Sequence, residues 1–143
     1  MVVIAIIGLV CAMGLPNFLH AMQKHGMIKM INDLETACSD ARSHAIIKRV
    51  KTPLIFYPAE NKFEVGFTAQ DSKQNLYVIP DGVTIEMLDV FRQDYLKSDA
   101  VRVFFYPDGT CDELDLTFKS KAGEFMQATA DWATSSLRFK HLN

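Results

Sequence analysis

The sequence predicts an α+β fold, in which one long N-terminal helix packs on an antiparallel sheet of about eight short strands. Three features of the 143-residue chain support it: an uncharged apolar run over residues 1–23, an amphipathic helical pattern over 24–51, and alternating apolar strands over 52–143. One helical segment followed by a series of strands is typical of α+β proteins. We therefore divide the chain into a hydrophobic helix, an amphipathic helix packed on the sheet, and a β-rich head with those boundaries.

The apolar run has no charged residue before Lys24, and its length approaches the about 20 residues that span a bilayer. An ordinary single-pass anchor or a signal peptide is the alternative, although a signal peptide needs a basic segment ahead of its apolar run. Lys24, His25 and Lys29 follow the run, and the positive-inside rule alone would place that flank in the cytoplasm. The residues expected to contact the membrane or a filament are Val2, Val3, Ile4, Ile6, Ile7, Gly8, Leu9, Val10, Gly14, Pro16 and Phe18.

Three residues make this run the weakest part of the predicted helix. Gly8 and Gly14 lower helix propensity, and Pro16 removes one backbone hydrogen bond in the preceding turn. The sequence leaves two outcomes open: a simple proline kink, or an unwound interval between Gly8 and Pro16.

A second helical pattern follows, with apolar residues on one face and polar residues on the other. No Gly or Pro interrupts residues 27–51, and Pro53 is expected to stop the helix. The stripe narrows to alanine near its end, which lets a sheet approach closely. The residues expected to pack on the sheet are Met27, Met30, Ile31, Leu34, Cys38, Ala41 and Ala45.

Strand patterns with turn signals fill the rest of the chain, and residues 91–99 are expected to form an excursion between strands. A polar loop is expected at residues 69–75, and Pro-Asp-Gly turns at 80–82 and 107–109. The predicted strands are 54–57, 62–67, 76–79, 83–90, 101–106, 113–118, 124–130 and 136–140.

The sequence predicts no catalytic residue, no metal ligand, no cofactor and no small-molecule substrate. The acidic residues from Asp108 to Asp115 lack the spacing of a calcium loop, so we expect a solvated turn. His20 and His25 are not spaced like a helical metal pair. Cys38 is expected to be a buried thiol, not bridged to Cys111. We expect the aromatic side chains of the core to be Phe104, Phe105, Trp132 and Phe139.

The segment VVIAIIGLVCAMGLPNF, residues 2–18, resembles the N-terminal segment of type IV pilins and type II secretion pseudopilins. Gly8, Pro16 and Phe18 match that pattern. The resemblance implies that a basic leader, a Gly–Phe cleavage point and an FTLIE segment precede the run. The sequence begins inside the apolar segment, so either its start is trimmed or miscalled or this copy has lost its processing signals. We expect the first, with an upstream extension that carries them.

Two later motifs resemble the H-type minor pseudopilin and its FimT-like relatives, the GspH/FimT domain. The first is Ile79 to Ile85, IPDGVTI, and the second is the turn formed by Pro107, Asp108, Gly109 and Thr110, followed by the strand LDL. A plain turn between two strands would also produce the second motif. The final hairpin matches less well, because Thr134 and two serines stand where the family carries a Thr-Gly turn.

The resemblance implies a structural minor subunit of a type II secretion pseudopilus or type IV pilus-like filament. Its partners would be other pilin or pseudopilin subunits, and the bacterial inner membrane before assembly, with the head in the periplasm. The alternative is a FimT-like pilin that captures DNA, for which Arg138 and Lys140 are the candidate contacts. The net charge of −2 makes nucleic acid an unfavourable partner. A membrane-anchored enzyme is a third option, with no recognisable site.

Overall fold

A computed structural model describes residues 2–67 and 75–142, with the backbone alone for residue 2 and residues 4–24. The residues predicted to contact a membrane or filament therefore lie outside the described side chains, apart from the exposed Val3. The predicted loop at 69–75 also lies outside the described residues, apart from Asn75. Within the described residues, none of the helices combines the length and apolar character that a membrane crossing needs.

The single long helix α1 spans Val2–Lys48 and ends three residues before the predicted boundary. The reason is a local cap. Arg49 has a φ of 55°, in the left-handed region, and the Val50 amide donates to the Ala45 carbonyl at 3.2 Å. This arrangement is a Schellman motif, which satisfies orphan carbonyls of the last turn before Pro53 is reached.

The described residues form nine strands in two antiparallel sheets, where the sequence predicted about eight strands in one sheet. The additional strand is β5, inside the predicted excursion. A short 3₁₀ helix, Pro58–Glu60, follows β1. The strands are β1 Thr52–Tyr57, β2 Lys62–Val65, β3 Asn75–Val78, β4 Val83–Val90, β5 Gln93–Asp94, β6 Val101–Phe105, β7 Leu114–Ser120, β8 Phe125–Ala130 and β9 Leu137–Leu142.

The chain passes between the two sheets three times, after β3, after β5 and after β6. The four-stranded sheet has the order β3-β2-β1-β6, and the five-stranded sheet has the order β5-β4-β7-β8-β9. Strand β6 returns to the first sheet, where it pairs with β1, before β7 joins β4 in the second. Buried residues of both sheets and of α1 form one core.

The core lies between the amphipathic half of α1 and the inner faces of both sheets. Ile31 is partly buried, and Ala37, which the sequence prediction omitted, is fully buried. Alanine at that position adds little hydrophobic signal, although it lies on the same helix face. Six residues of the predicted stripe are buried: Met27, Met30, Leu34, Cys38, Ala41 and Ala45.

The aromatic residues divide between core and surface. Phe105 is fully buried and Phe139 packs partly buried against the core, whereas Phe104 is half-buried. The prediction for Trp132 is wrong, because its side chain is 64% exposed. It follows β8 in the loop that leads to β9, where only its backbone is held, by a 2.9 Å hydrogen bond from the Cys111 amide to its carbonyl.

We expect a fragment of residues 23–143 to unfold cooperatively, because it keeps both the apolar stripe and the sheets that cover it. Leu34→Ala should lower its free energy of unfolding by about 2–5 kcal/mol, since Leu34 is 0% exposed and truncation leaves a cavity. Ile47→Ala on the same helix is the matched control, because Ile47 is 75% exposed. Urea denaturation measures both, and equal effects would contradict the assignment of the core.

Candidate functional site

The residues predicted to carry function lie in three separate parts of the head. The helix stripe lies in the core, the turn at 107–110 joins β6 to β7, and Arg138 and Lys140 lie on β9 at the edge of the five-stranded sheet. These three groups of residues therefore do not line a common pocket. Each group forms a separate surface for contact or packing.

The turn at 107–110 is fixed by hydrogen bonds within itself. The Asp108 carboxylate accepts from the Thr110 amide at 3.0 Å and from the Thr110 hydroxyl at 2.7 Å. These bonds hold the pKa of Asp108 below its ordinary value, and the bond from the Thr110 hydroxyl has the larger effect. Gly109 has a φ of 87°, and its amide donates to the Tyr106 carbonyl at 3.0 Å. Pro107 and Asp108 are exposed, whereas Gly109 is buried, so only the first half of the turn faces solvent.

Asp112 corrects the expectation of a wholly solvated acidic turn. Its side chain is buried, and its carboxylate accepts from the Phe104 amide at 2.9 Å and the Tyr106 hydroxyl at 2.8 Å. The bond to Asp112 is the main reason that the pKa of Tyr106 is raised. Asp112 thus fixes the position of the end of β6. The pattern of polar residues in the sequence did not predict the burial of Asp112, because its hydrogen-bond partners are 6 and 8 residues away along the chain.

The final hairpin is tied to the same turn by Ser135. This residue has a φ of 53°, a conformation that glycine adopts more readily. Its buried hydroxyl donates to the Gly109 carbonyl at 2.6 Å, across 26 residues of sequence. Ser135 therefore contributes a hydrogen bond that a glycine in this conformation could not make.

The candidate DNA contacts lie on the last strand, where acidic residues are close by. Arg138 is exposed, and its Nη2 atom is 3.7 Å from Oδ2 of Asp131. Lys140 is exposed two residues further on, opposite Gln127 of β8. Arg138 itself is opposite Thr129, whose hydroxyl donates to Asp115 at 2.7 Å. Arg138 therefore lies close to the carboxylates of Asp131 and Asp115, and Lys140 lies opposite a neutral residue.

Cys38 and Cys111 are both free and buried. Burial is the largest cause of the raised pKa of each thiol. The negative charge of a nearby acidic residue raises the pKa further, that of Glu35 for Cys38 and that of Asp112 for Cys111. A reactive cysteine needs the opposite shift, toward the thiolate. The local environment therefore fits a structural thiol at both positions.

Metal-ligating side chains do not gather in the described part of the chain, where no group of three His, Cys, Asp or Glu residues is placed to hold an ion. His25 is exposed on α1, and the side chain of His20 lies outside the described residues. The prediction that the protein binds no metal or cofactor stays a prediction.

No protein-family model and no curated protein matches the chain. Among solved structures it is similar to the minor pseudopilin EpsH from the Type 2 Secretion System of Vibrio cholerae. The two are 15% identical, with a TM-score of 0.54, over 77% of this chain and 92% of that one. The chain shares the fold of a minor pseudopilin. This similarity confirms the predicted α+β, pilin-like fold.

We expect the free energy of unfolding of residues 23–143 to fall as pH rises above the ordinary thiol pKa of 9.0. Unfolded Cys38 then loses its proton while the buried thiol keeps it, so the unfolded state binds fewer protons and gains stability. The slope for this thiol should be about 0.7 kcal/mol per pH unit at pH 9.0 and approach about 1.4 kcal/mol per pH unit only at higher pH. Urea titrations from about pH 7.5 to 10 measure it. Cys38→Ala should flatten the slope, and parallel slopes would contradict the argument.

Proposed function

We propose that the protein is a structural minor subunit of a type II secretion pseudopilus or related pilus-like filament. The observation that carries the proposal is the combination of a minor-pseudopilin fold with a helix that begins at Val2, far ahead of Met27, the first described core residue. A helix of 47 residues is about 70 Å long, so it supplies both a head contact and a separate segment for other subunits.

The head and the apolar segment have different tasks in this proposal. The stripe from Met27 to Ala45 fixes the helix to both sheets, so the head and the helix move as one body. The apolar residues from Val2 to Phe18 pack first in the inner membrane and then among the helices of neighbouring subunits. The head lies in the periplasm, and the role involves no chemical reaction.

DNA capture is the second candidate, and the described surface gives it little support. Non-specific DNA binding depends on cations that meet successive phosphates. Arg138 adjoins Asp131, and the strand row that contains Arg138 also contains Asp115. We therefore propose protein subunits, rather than DNA, as the main partners.

Val10→Lys should prevent the full chain from entering filaments, because it places a charge in the apolar segment. Ile47→Lys is the matched control: it makes the same change on the same helix, at a side chain that is 75% exposed in the head. The measurement is the amount of each variant in filaments sheared from the bacterium that carries the gene, relative to the amount in cells. Filament entry by Val10→Lys at the level of the control would contradict the proposed assembly through this segment.

Duplex DNA should bind residues 23–143 with a dissociation constant at or above about 10⁻⁴ M at physiological salt. Arg138→Ala combined with Lys140→Ala should change that value less than about twofold, because Arg138 lies beside Asp131 and a single further cation adds little affinity. Fluorescence anisotropy at two salt concentrations measures it. Micromolar binding that strengthens at low salt and is lost in the double variant would favour DNA capture.

A further inference from the structure

Strand β9 forms one edge of the five-stranded sheet, and only β8 pairs with it among the described strands. At the loop end of this hairpin the Asp131 amide donates to the Ser136 carbonyl at 3.0 Å. Because hydrogen bonding alternates along an antiparallel pair, every second residue of β9 directs its amide and carbonyl away from β8. Counted from that bond through the regular register of the hairpin, these outward-facing residues are Leu137, Phe139 and His141.

Two clefts separate this open edge from α1. The upper cleft, at the C-terminal end of α1, has a volume of ≈ 450 Å³ and lies between Leu137 with its preceding loop and the helix from Glu35 to Ile46. The lower cleft has a volume of ≈ 280 Å³ and lies between His141 and the helix at Met27. The helix therefore does not cover the edge of β9 at either end of the strand.

The outward main-chain groups of β9 make no hydrogen bond to the described part of the chain. They repeat every second residue, which is about 7 Å along a strand. An extended backbone carries its own amides and carbonyls at the same spacing, so such an edge is a template for another strand. The ligand whose chemistry matches this array is a polypeptide in extended conformation.

One uncompensated cation marks the outer face of this edge. Lys140 is exposed opposite the neutral Gln127, and no described carboxylate lies within ion-pair distance of its ammonium group. Arg138 differs, because its Nη2 atom is already 3.7 Å from Oδ2 of Asp131. Strand β8 carries no charge, so the next charged residues on this face belong to β7, Asp115 and Lys119. A strand added at the edge therefore gains most from a carboxylate beside Lys140.

The clefts on the inner side of the edge have no excess of one charge. Glu35 and Arg42 both line the upper cleft, and Glu124 and His141 both line the lower one. The remaining walls of the lower cleft are apolar side chains, those of Met27, Ile28, Ile31 and Met126. Side chains of an added strand that point toward α1 should therefore be apolar in the lower cleft.

A second copy of β9 does not fit this edge. Antiparallel pairing of two β9 strands would bring Arg138 and Lys140 of both copies together, and like charges on paired strands are destabilising. It would also point the two α1 helices in opposite directions, because β9 runs antiparallel to α1. Two subunits that enter one membrane from the same side cannot adopt that arrangement.

We propose that β9 binds an extended segment of a partner protein as an added strand, with an apolar side chain in the lower cleft and a carboxylate beside Lys140. In such complexes the main-chain hydrogen bonds supply affinity, and pockets for alternate side chains supply specificity. The outward groups of Leu137, Phe139 and His141 pair with the segment. The proposal uses only the head, so it does not rest on the filament role.

The test uses the full chain in mild detergent and a fluorescein-labelled peptide, Thr-Val-Thr-Val-Glu-Val-Thr-Val, whose valines all lie on one face of a strand. Fluorescence anisotropy should show saturable binding with a dissociation constant below about 1 mM. The same peptide with lysine in place of glutamate should bind about fivefold more weakly. A peptide with proline in place of the valine before the glutamate should not bind, because it loses a main-chain donor in the added strand.

Hydrogen exchange identifies the edge directly. With peptide bound, exchange at the Phe139 and His141 amides should slow about tenfold, because these amides face outward. The Arg138 and Lys140 amides face β8 with or without peptide, so their exchange should change less than about twofold. This alternation along one strand distinguishes strand addition from binding elsewhere on the head.

Matched variants separate the main-chain and charge contributions. His141→Pro removes an outward amide without removing a bond to β8, whereas His141→Ala removes only the ring, so the proline variant should bind about fivefold more weakly than the alanine variant. Lys140→Glu should weaken binding of the glutamate peptide about fivefold and strengthen that of the lysine peptide. Lys97→Glu makes the same change at an exposed residue between β5 and β6, and should leave both affinities unchanged.

Three results would overturn the proposal. The first is no saturable binding of the glutamate peptide, and the second is equal slowing of exchange at inward-facing and outward-facing amides of β9. The third is slowing at the outward-facing amides without peptide that grows with protein concentration, which would show that a second copy covers the edge. Filament entry is measured separately, so the proposed filament role can fail or hold independently of this edge.

Discussion

Burial of one narrow stripe of α1 under both sheets is the interaction on which the rest of the head depends. The stripe changes character along its length, from Met30 and Leu34 to Ala41 and Ala45. Long side chains fill the space between helix and sheets at one end, and small ones allow close approach at the other. Because both sheets contribute to this core, neither can separate without exposing the helix. The same constraint fixes the direction in which the N-terminal part of α1 leaves the head.

Polar contacts at the far end of the core hold together segments that the apolar stripe does not reach. Asp112 fixes the end of β6, and Ser135 joins the last hairpin to the turn at Gly109. Both side chains are buried, so each unmade bond would leave a polar group without water. These two contacts explain why the turn and the last hairpin form one unit, although 26 residues separate Ser135 from Gly109.

The spacing of apolar residues in the sequence predicted the helix stripe and most strands, because buried positions recur about every 3.6 residues in a helix and every second residue in a strand. Features that depend on distant partners could not be predicted in this way. The end of α1 depends on the positive φ of Arg49, and the division into two sheets depends on where β6 pairs. Trp132 is apolar but follows a strand into an exposed loop, whereas Asp112 is charged but finds buried partners. Of the candidate surfaces, the turn at 107–110 was visible in the sequence. The cleft lined by Phe91, Tyr95 and Phe104 was not, because its walls come from the β4–β5 hairpin of one sheet and β6 of the other.

Ser135 and Phe91 both have a positive φ, but their side chains differ in whether they offset the backbone strain. At Ser135 the strain is offset inside the molecule, because the conformation directs a buried hydroxyl to the Gly109 carbonyl. At Phe91 only the backbone is bonded, by a 3.1 Å hydrogen bond from its amide to the Glu113 carbonyl, while the ring remains 63% exposed. Asparagine or glycine would keep that backbone bond with less strain. The ring itself therefore gives the head no stability that explains its presence. Its ring instead lines the cleft between the β4–β5 hairpin and β6.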